Sequence, residues 1–172
     1  AYTAKRGYKD ALLLCVCSWV KAFGEKQCIA LYCSDVAGAF DRVSRKHLMR
    51  ALRFKGLPKS IFNLVCSWLE PRVAHVIVDN YVSSSLHLNN MVYQGTVWGI
   101  PLWNCFFADA KWAIRKGDFV EVVYADDLNA FKMFPNSCPN EELLVQMDQC
   151  QCHLHAWGRA NRVQFDSEKE SK

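Results

Sequence analysis

The sequence predicts an α+β fold: a split βαβ antiparallel sheet with helices packed on one face. Three observations predict it. Apolar residues recur at helical spacing over 8–23 and 139–157, and strand-like runs occupy 28–36, 119–124 and 128–134. The order of these stretches is strand, helices, hairpin, helix, strand, which is the order of a split βαβ unit. Glycine and proline separate them, at Gly24, Gly56, Pro58, Pro71 and Pro139.

Each element follows from its residues. Leu12, Val16, Trp19 and Phe23 are four, three and four apart and predict an amphipathic helix that ends at Gly24. CIALYCSDV (28–36) suits a buried strand. Ser44 opens a helix with Leu48 and Leu52 on its inner side, and Gly56 closes it. Pro58 starts a second helix, SIFNLVCSWLE, that ends before Pro71. AHVIVDNYVSSSLHL reads as a β-hairpin with Asp79-Asn80 as its turn. GTVWGIPLWNCFFADAKWAI begins with glycines and becomes helical near Pro101. FVEVVY and LNAFKMF are strands that flank Asp126 and Asp127. Pro139 to Trp157 is a helix, and RVQFD (162–166) a short strand.

Composition narrows the class. The chain has 172 residues, 51% of them hydrophobic, enough for a core of one domain. No apolar run approaches the ~18 residues that span a bilayer, and ALLLCVCSWV (11–20) has charge on both sides and no cleavage site. These features predict an intracellular protein without a membrane partner. The nine cysteines lie among apolar neighbours, as free thiols do in a reducing compartment. Cys150, Cys152, His153 and His155 are too close in sequence for the two separated ligand pairs of a zinc site. Leu143, Met147, Cys150, Leu154 and Trp157 share helical spacing, which makes Cys150 a core position. Net charge is only +4, but residues 42–59 hold seven bases and no acid: Arg42, Arg45, Lys46, Arg50, Arg53, Lys55 and Lys59. Such a stretch suits either a solvated helix face or a polyanion such as nucleic acid.

Asp126 and Asp127 pose the chemical question. Adjacent carboxylates repel and resist burial, so the pair is either a solvated turn or a cation ligand. Asp35 stands just past the first strand. In a split βαβ sheet that strand lies beside the central hairpin, so Asp35, Asp126 and Asp127 are expected to converge at one sheet edge. Carboxylate oxygens suit Mg²⁺, which keeps several waters and shares its shell with substrate phosphates. Two such ions ~3.5–4 Å apart serve phosphoryl transfer.

With these residues in view, the chain resembles a reverse transcriptase of the retrotransposon type without long terminal repeats. YADD (124–127) resembles the family's Tyr-x-Asp-Asp motif, and DVAGAFDRV (35–43) its first catalytic motif. QGTVWGIPLWN (94–104) resembles the Gln-Gly motif, and WGRANRVQFDSEKE (157–170) the closing motif. AKRGYKDALLL (4–14) resembles, in altered form, the Gly-Arg segment before the palm. The resemblance implies a polymerase right-hand palm with partial fingers and no thumb. It divides the chain into a residual fingers helix (1–27) and a palm (28–172). Within the palm the first catalytic motif spans 28–55 and the connecting helix and hairpin 58–90. The Gln-Gly motif spans 91–115, the YADD hairpin 118–134 and the closing helix and strand 140–170.

The resemblance also implies roles. Asp35, Asp126 and Asp127 match the catalytic ligands of two Mg²⁺ or Mn²⁺ ions. Lys169 matches a lysine that protonates departing pyrophosphate. Phe40 matches the aromatic gate whose ring excludes a ribose 2′-hydroxyl, with core packing as the plainer alternative. Gln94 and Gly95 match residues lining the template and nascent base pair, and Tyr124 joins the substrate-binding set. Arg42, Arg45 and Lys46 follow the first catalytic aspartate and are expected to meet a phosphate backbone. The implied partners are an RNA template, a DNA primer, dNTP and the remaining fingers and thumb of a parent polyprotein. Two positions depart from the pattern: Tyr93 and Ile100 stand where relatives commonly carry proline. Without the flanking segments the resemblance implies little polymerase activity. It also admits a second function, a non-catalytic remnant or domesticated domain that binds nucleic acid or a partner.

Overall fold

The structure is a computed structural model that describes residues 7–89 and 92–172. The start of the 4–14 segment, including Arg6, and the segment boundaries at 90 and 91 lie outside the described residues. The described chain is α+β. It divides into two compact units: the chain up to Ala39 together with Phe107–Lys172, and Phe40–Phe106.

The first unit is built on a three-stranded sheet. Strand β1 is Gln27–Ser34, β6 is Val120–Tyr124 and β7 is Asp127–Pro135. Their order is β1-β7-β6, and both pairings are antiparallel, so β1 and β6 run parallel on either side of β7. The register is continuous from Gln27↔Pro135 to Ser34↔Leu128. Helices cover both faces, which corrects the expectation of helices on one face. On one side α1 (Tyr8–Gly24) packs Ala11, Cys15 and Trp19 against Ile29, Leu31, Val122, Phe131 and Met133. Alternate strand residues point the other way, and Ala30, Tyr32, Leu128 and Ala130 are buried there. That side meets α5 (Ala110–Arg115) and α6 (Asn140–Asn161).

The inner face of α1 is shifted by one residue from the expected one. Leu12, Val16 and Phe23 are exposed, while Cys15 and Ala22 are buried. The stretch 11–20 is apolar on nearly every side, so two faces satisfy the same spacing. The small residues take the sheet side because they permit close approach. Asp10 accepts the Gly7 N–H at 2.6 Å and fixes the helix start.

Helix α6 runs past Trp157 to Asn161 and stops at Arg162, whose φ of 60° is left-handed. Met147, Cys150, Leu154 and Gly158 form its buried line, and burial raises the Cys150 thiol to about 11. The expected strand at 162–166 is not formed. Instead, single bridges join Val36 to Phe165 and Cys33 to Ser171. Between them Asp166 starts a turn: its carbonyl accepts the N–H groups of Lys169 and Glu170, both at 3.1 Å. A turn cannot continue a ladder, so the pairing is interrupted. Gly158 lets this segment approach, since a Cβ there would lie 2.8 Å from both the Phe165 ring and the Val163 carbonyl.

The second unit begins with a 3₁₀ turn, Phe40–Arg42. Helix α2 (Arg45–Phe54) follows, burying Leu48 and Leu52, then α3 (Lys59–Trp68). A ribbon comes next: β2 (Arg72–Ala74) pairs with β5 (Leu86–Leu88), and β3 (Ile77–Val78) with β4 (Tyr81–Val82). Asp79 and Asn80 form its turn with φ of 46° and 68°, the signs a type I′ turn requires. Helix α4 (Gly99–Phe107) starts two residues before Pro101.

Candidate active site

The sheet register positions the acidic residues. Tyr124 pairs with Asp127, so Ala125 and Asp126 are the two turn residues of the β6–β7 hairpin. Ala125 has a φ of 57°, a conformation that costs an L-residue about 1–2 kcal/mol. On the other side of β7, Ser34 pairs with Leu128. One further step along both strands sets Asp35 opposite Asp127. β1 thus delivers Asp35 to the hairpin tip.

The other two carboxylates act on Asp127. Asp127 is exposed, yet partial desolvation at the tip pushes its carboxyl up, reinforced by the negative charges of Asp126 and Asp35; Lys169 acts in the opposite sense. Lys169 donates to Asp35 Oδ2 at 2.6 Å, and its ammonium lies 3.9 Å from Asp166. The hydrogen bond and charge of Asp35 raise the Lys169 pKa. The Asp35 side chain is 15% exposed and that of Lys169 63%. The Asp35 carbonyl also accepts the Asp166 N–H at 3.0 Å.

Among the described residues no three His, Cys, Asp or Glu side chains form a ready-made metal cage. The trio still fits a hard divalent ion in donor type. Its donors are carboxylate oxygens alone, and their mutual repulsion is of the kind a cation relieves. A cation, the Lys169 ammonium, already sits on one of them.

Sequence reasoning missed Glu170. Its side chain is 8% exposed and accepts four hydrogen bonds. Tyr32 Oη donates at 2.5 Å and Ser34 Oγ at 3.2 Å; Gln151 Nε2 donates at 2.8 Å, and His155 Nε2 lies at 2.7 Å. Burial works to raise this carboxyl, but the bonds from Tyr32, His155 and Gln151 outweigh it and hold the pKa below the usual range. The His155 ring also stacks on Phe165, centroids 5.4 Å apart. No sequence signal separates Glu170 from its neighbour Glu168, because its partners are scattered over two distant elements.

The remaining residues have clear places. The Tyr124 ring meets Tyr8 edge-on at 6.3 Å. In the second unit, Phe40 packs on Trp103 with centroids 5.3 Å apart, and its carbonyl accepts the Val92 N–H at 2.8 Å. Phe40 thus has the packing role that was its plainer alternative. Gln94 and Gly95 lie exposed in a turn where Gly95 adopts a φ of 78°. Tyr93, one of the two departures, is braced: the Arg72 guanidinium lies 4.1 Å from its ring centroid, and Trp68 meets it edge-on at 5.1 Å. Arg45 donates to the Cys66 carbonyl at 3.1 Å, a bond internal to the unit, while Arg42 and Lys46 are exposed.

The class defined by these features is an α+β unit with an acidic hairpin edge and one lysine held against it. No profile of a known protein family matches the chain. Over 99 residues it is 35% identical to the RNA-directed DNA polymerase from mobile element jockey of Drosophila melanogaster; the match covers 54% of this chain and 11% of that protein. The chain spans about a tenth of the length of this curated relative.

Proposed function

We propose that the chain is the palm core of an RNA-directed DNA polymerase, a reverse transcriptase of a retrotransposon without long terminal repeats. It transfers a nucleotide from dNTP to a primer 3′-hydroxyl on an RNA template. The single observation that carries this reading is the β1–β7 register, which brings Asp35 to the turn at Asp126. The partial likeness to a polymerase of a mobile element supports it.

Asp35 and Asp126, with Asp127, would hold two Mg²⁺ or Mn²⁺ ions. The chemistry that such a pair supplies is activation of the attacking hydroxyl and neutralisation of charge on the leaving phosphate. The chain's own residues do the rest. Lys169, now on Asp35, protonates the departing pyrophosphate and must leave Asp35 to do so. Phe40 excludes a 2′-hydroxyl by bulk. Gln94 and Gly95 line the nascent pair; Tyr124 belongs to the substrate-binding set. Arg42, Arg45 and Lys46 meet phosphates of the template–primer duplex, Arg45 while also holding the Cys66 carbonyl. The remaining fingers and thumb of an intracellular parent polyprotein grip triphosphate and duplex.

Primer extension with dNTP, Mn²⁺ and an oligo(dT)-primed RNA tests the reading. Incorporation should occur in the chain joined to its flanking coding segments and vanish in Asp126→Ala. Equal incorporation by the variant, or silence of the extended protein, rejects it. The contact of Lys169 with Asp35 favours a second reading, a non-catalytic domain that binds nucleic acid or a partner with this acidic edge neutralised internally. Silence combined with intact RNA–DNA binding selects it.

A further inference from the structure

We propose that Glu170 is a positioning residue whose four hydrogen-bonded anchors set the Lys169 ammonium on Asp35. The proposal rests on the reading of Lys169 as a functional amine.

The geometry carries the argument. Lys169 has a long, mostly exposed side chain whose contacts are Asp35 and, more distantly, Asp166. A lysine loses about 2 kcal/mol of rotamer freedom when it is fixed. An exposed ion pair returns only ~0.2–1 kcal/mol. Its position therefore depends on how firmly its backbone is held. The adjacent residue supplies that hold. The two side chains leave the Asp166 turn toward different partners. Lys169 reaches Asp35, while Glu170 reaches Tyr32 and Ser34 on β1 and Gln151 and His155 on α6.

The rest of the closing segment is held through its backbone, which leaves the direction of the side chains at 169 and 170 open. Ser171 and Cys33 exchange two backbone bonds at 2.9 and 3.1 Å, and around the Val36–Phe165 bridge Ala37 N–H donates to the Gln164 carbonyl at 2.9 Å and Asp166 N–H to the Asp35 carbonyl at 3.0 Å. An apolar side chain at 170 would bury as well but would fix no direction. Four hydrogen bonds to two oxygens fix both depth and angle. In Glu170→Gln, an amide group replaces one of those oxygens. A donor then faces Tyr32, Ser34 and His155, or faces Gln151, whose amide must turn over to accept; in either case every anchor loses the carboxylate charge that strengthens it.

Competitive acetylation of lysines in the folded chain, mapped by mass spectrometry, reads the amine directly and needs neither metal nor polymerase activity. Lys26 and Lys116, both exposed, serve as internal references. Asp35→Asn frees the Lys169 amine and should raise its labelling about two- to fivefold, the range that loss of an exposed ion pair supports. Glu170→Gln should raise it as much, leave Lys26 and Lys116 unchanged, and add nothing in the double variant. Should Glu170→Gln fail to fold, Gln151→Ala and Tyr32→Phe each remove a single anchor and should raise Lys169 labelling alone. Unchanged Lys169 labelling in the folded anchor variants overturns the proposal. Unchanged labelling in Asp35→Asn overturns it too, because the pair is then not made. If labelling responds as expected but extension is absent, the polymerase reading fails and the positioning role stands.

Discussion

Among the described residues two hairpins have an aspartate in a two-residue turn, and they have opposite fates. At 77–82, Asp79 and Asn80 close a ribbon whose Ile77, Val78, Tyr81 and Val82 are all exposed. At 120–135, Ala125 and Asp126 close a hairpin whose Val122, Leu128, Ala130 and Phe131 are buried. An aspartate in a turn is ordinary chemistry, since it tolerates left-handed backbone and bonds locally. What makes the second turn a candidate site is the third strand. β1 pairs with β7 along its whole length, delivers Asp35, and is itself held by the segment that carries Lys169. The first hairpin has no such neighbour in its sheet.

Four experiments break or sharpen that contrast. The largest effect should come from the turn aspartates. Asp126→Ala should weaken Mn²⁺ affinity more than about 100-fold, beyond the 10–100-fold typical of losing a mere supporting partner. Asp79→Ala should leave that affinity unchanged; isothermal titration measures both. Equal losses would erase the distinction between the hairpins. Core truncation comes second. Leu128→Ala removes a fully buried side chain and should cost about 2–5 kcal/mol in urea unfolding, whereas Val78→Ala should stay within about 0.5 kcal/mol.

Gly158→Ala should cost about 1–3 kcal/mol, because its methyl meets the Phe165 ring and the Val163 carbonyl. It should also loosen Lys169, seen as faster acetylation, and leave the 77–82 ribbon untouched. The smallest effect is in pH. The folded Glu170 carboxyl titrates below its ordinary value of about 4.3. The unfolded chain therefore binds that proton first as pH falls. The stabilisation is complete above the ordinary value and drains away as pH drops through the folded value. Melting temperature should therefore fall less steeply on acidification in Glu170→Gln than in the unsubstituted protein; parallel curves would deny the carboxylate its share.

Much of this was legible in the letters, for identifiable reasons. The strands at 28–34, 120–124 and 127–135 declare themselves by apolar runs that flank charge or turn residues. The line Met147, Cys150, Leu154 declares α6. The phase of α1 was hidden, because a segment apolar on all sides carries spacing without direction. The closing segment looked like a strand because Val163 and Phe165 alternate with polar residues, and nothing local announced that Asp166 begins a turn. Glu170 was hidden more deeply. Its importance resides in Tyr32, Ser34, Gln151 and His155, and only the folded chain brings them together.

The bond between Lys169 and Asp35 joins positions 134 residues apart. During synthesis Asp126 and Asp127 complete the acidic edge about 40 residues before Lys169, a delay on the order of a few seconds at typical elongation rates. Throughout that interval the nascent acidic edge stands without its own amine. The order of the letters thus leaves Asp35 without its lysine for a time, and on the proposed reading that is when a metal ion would meet no competitor.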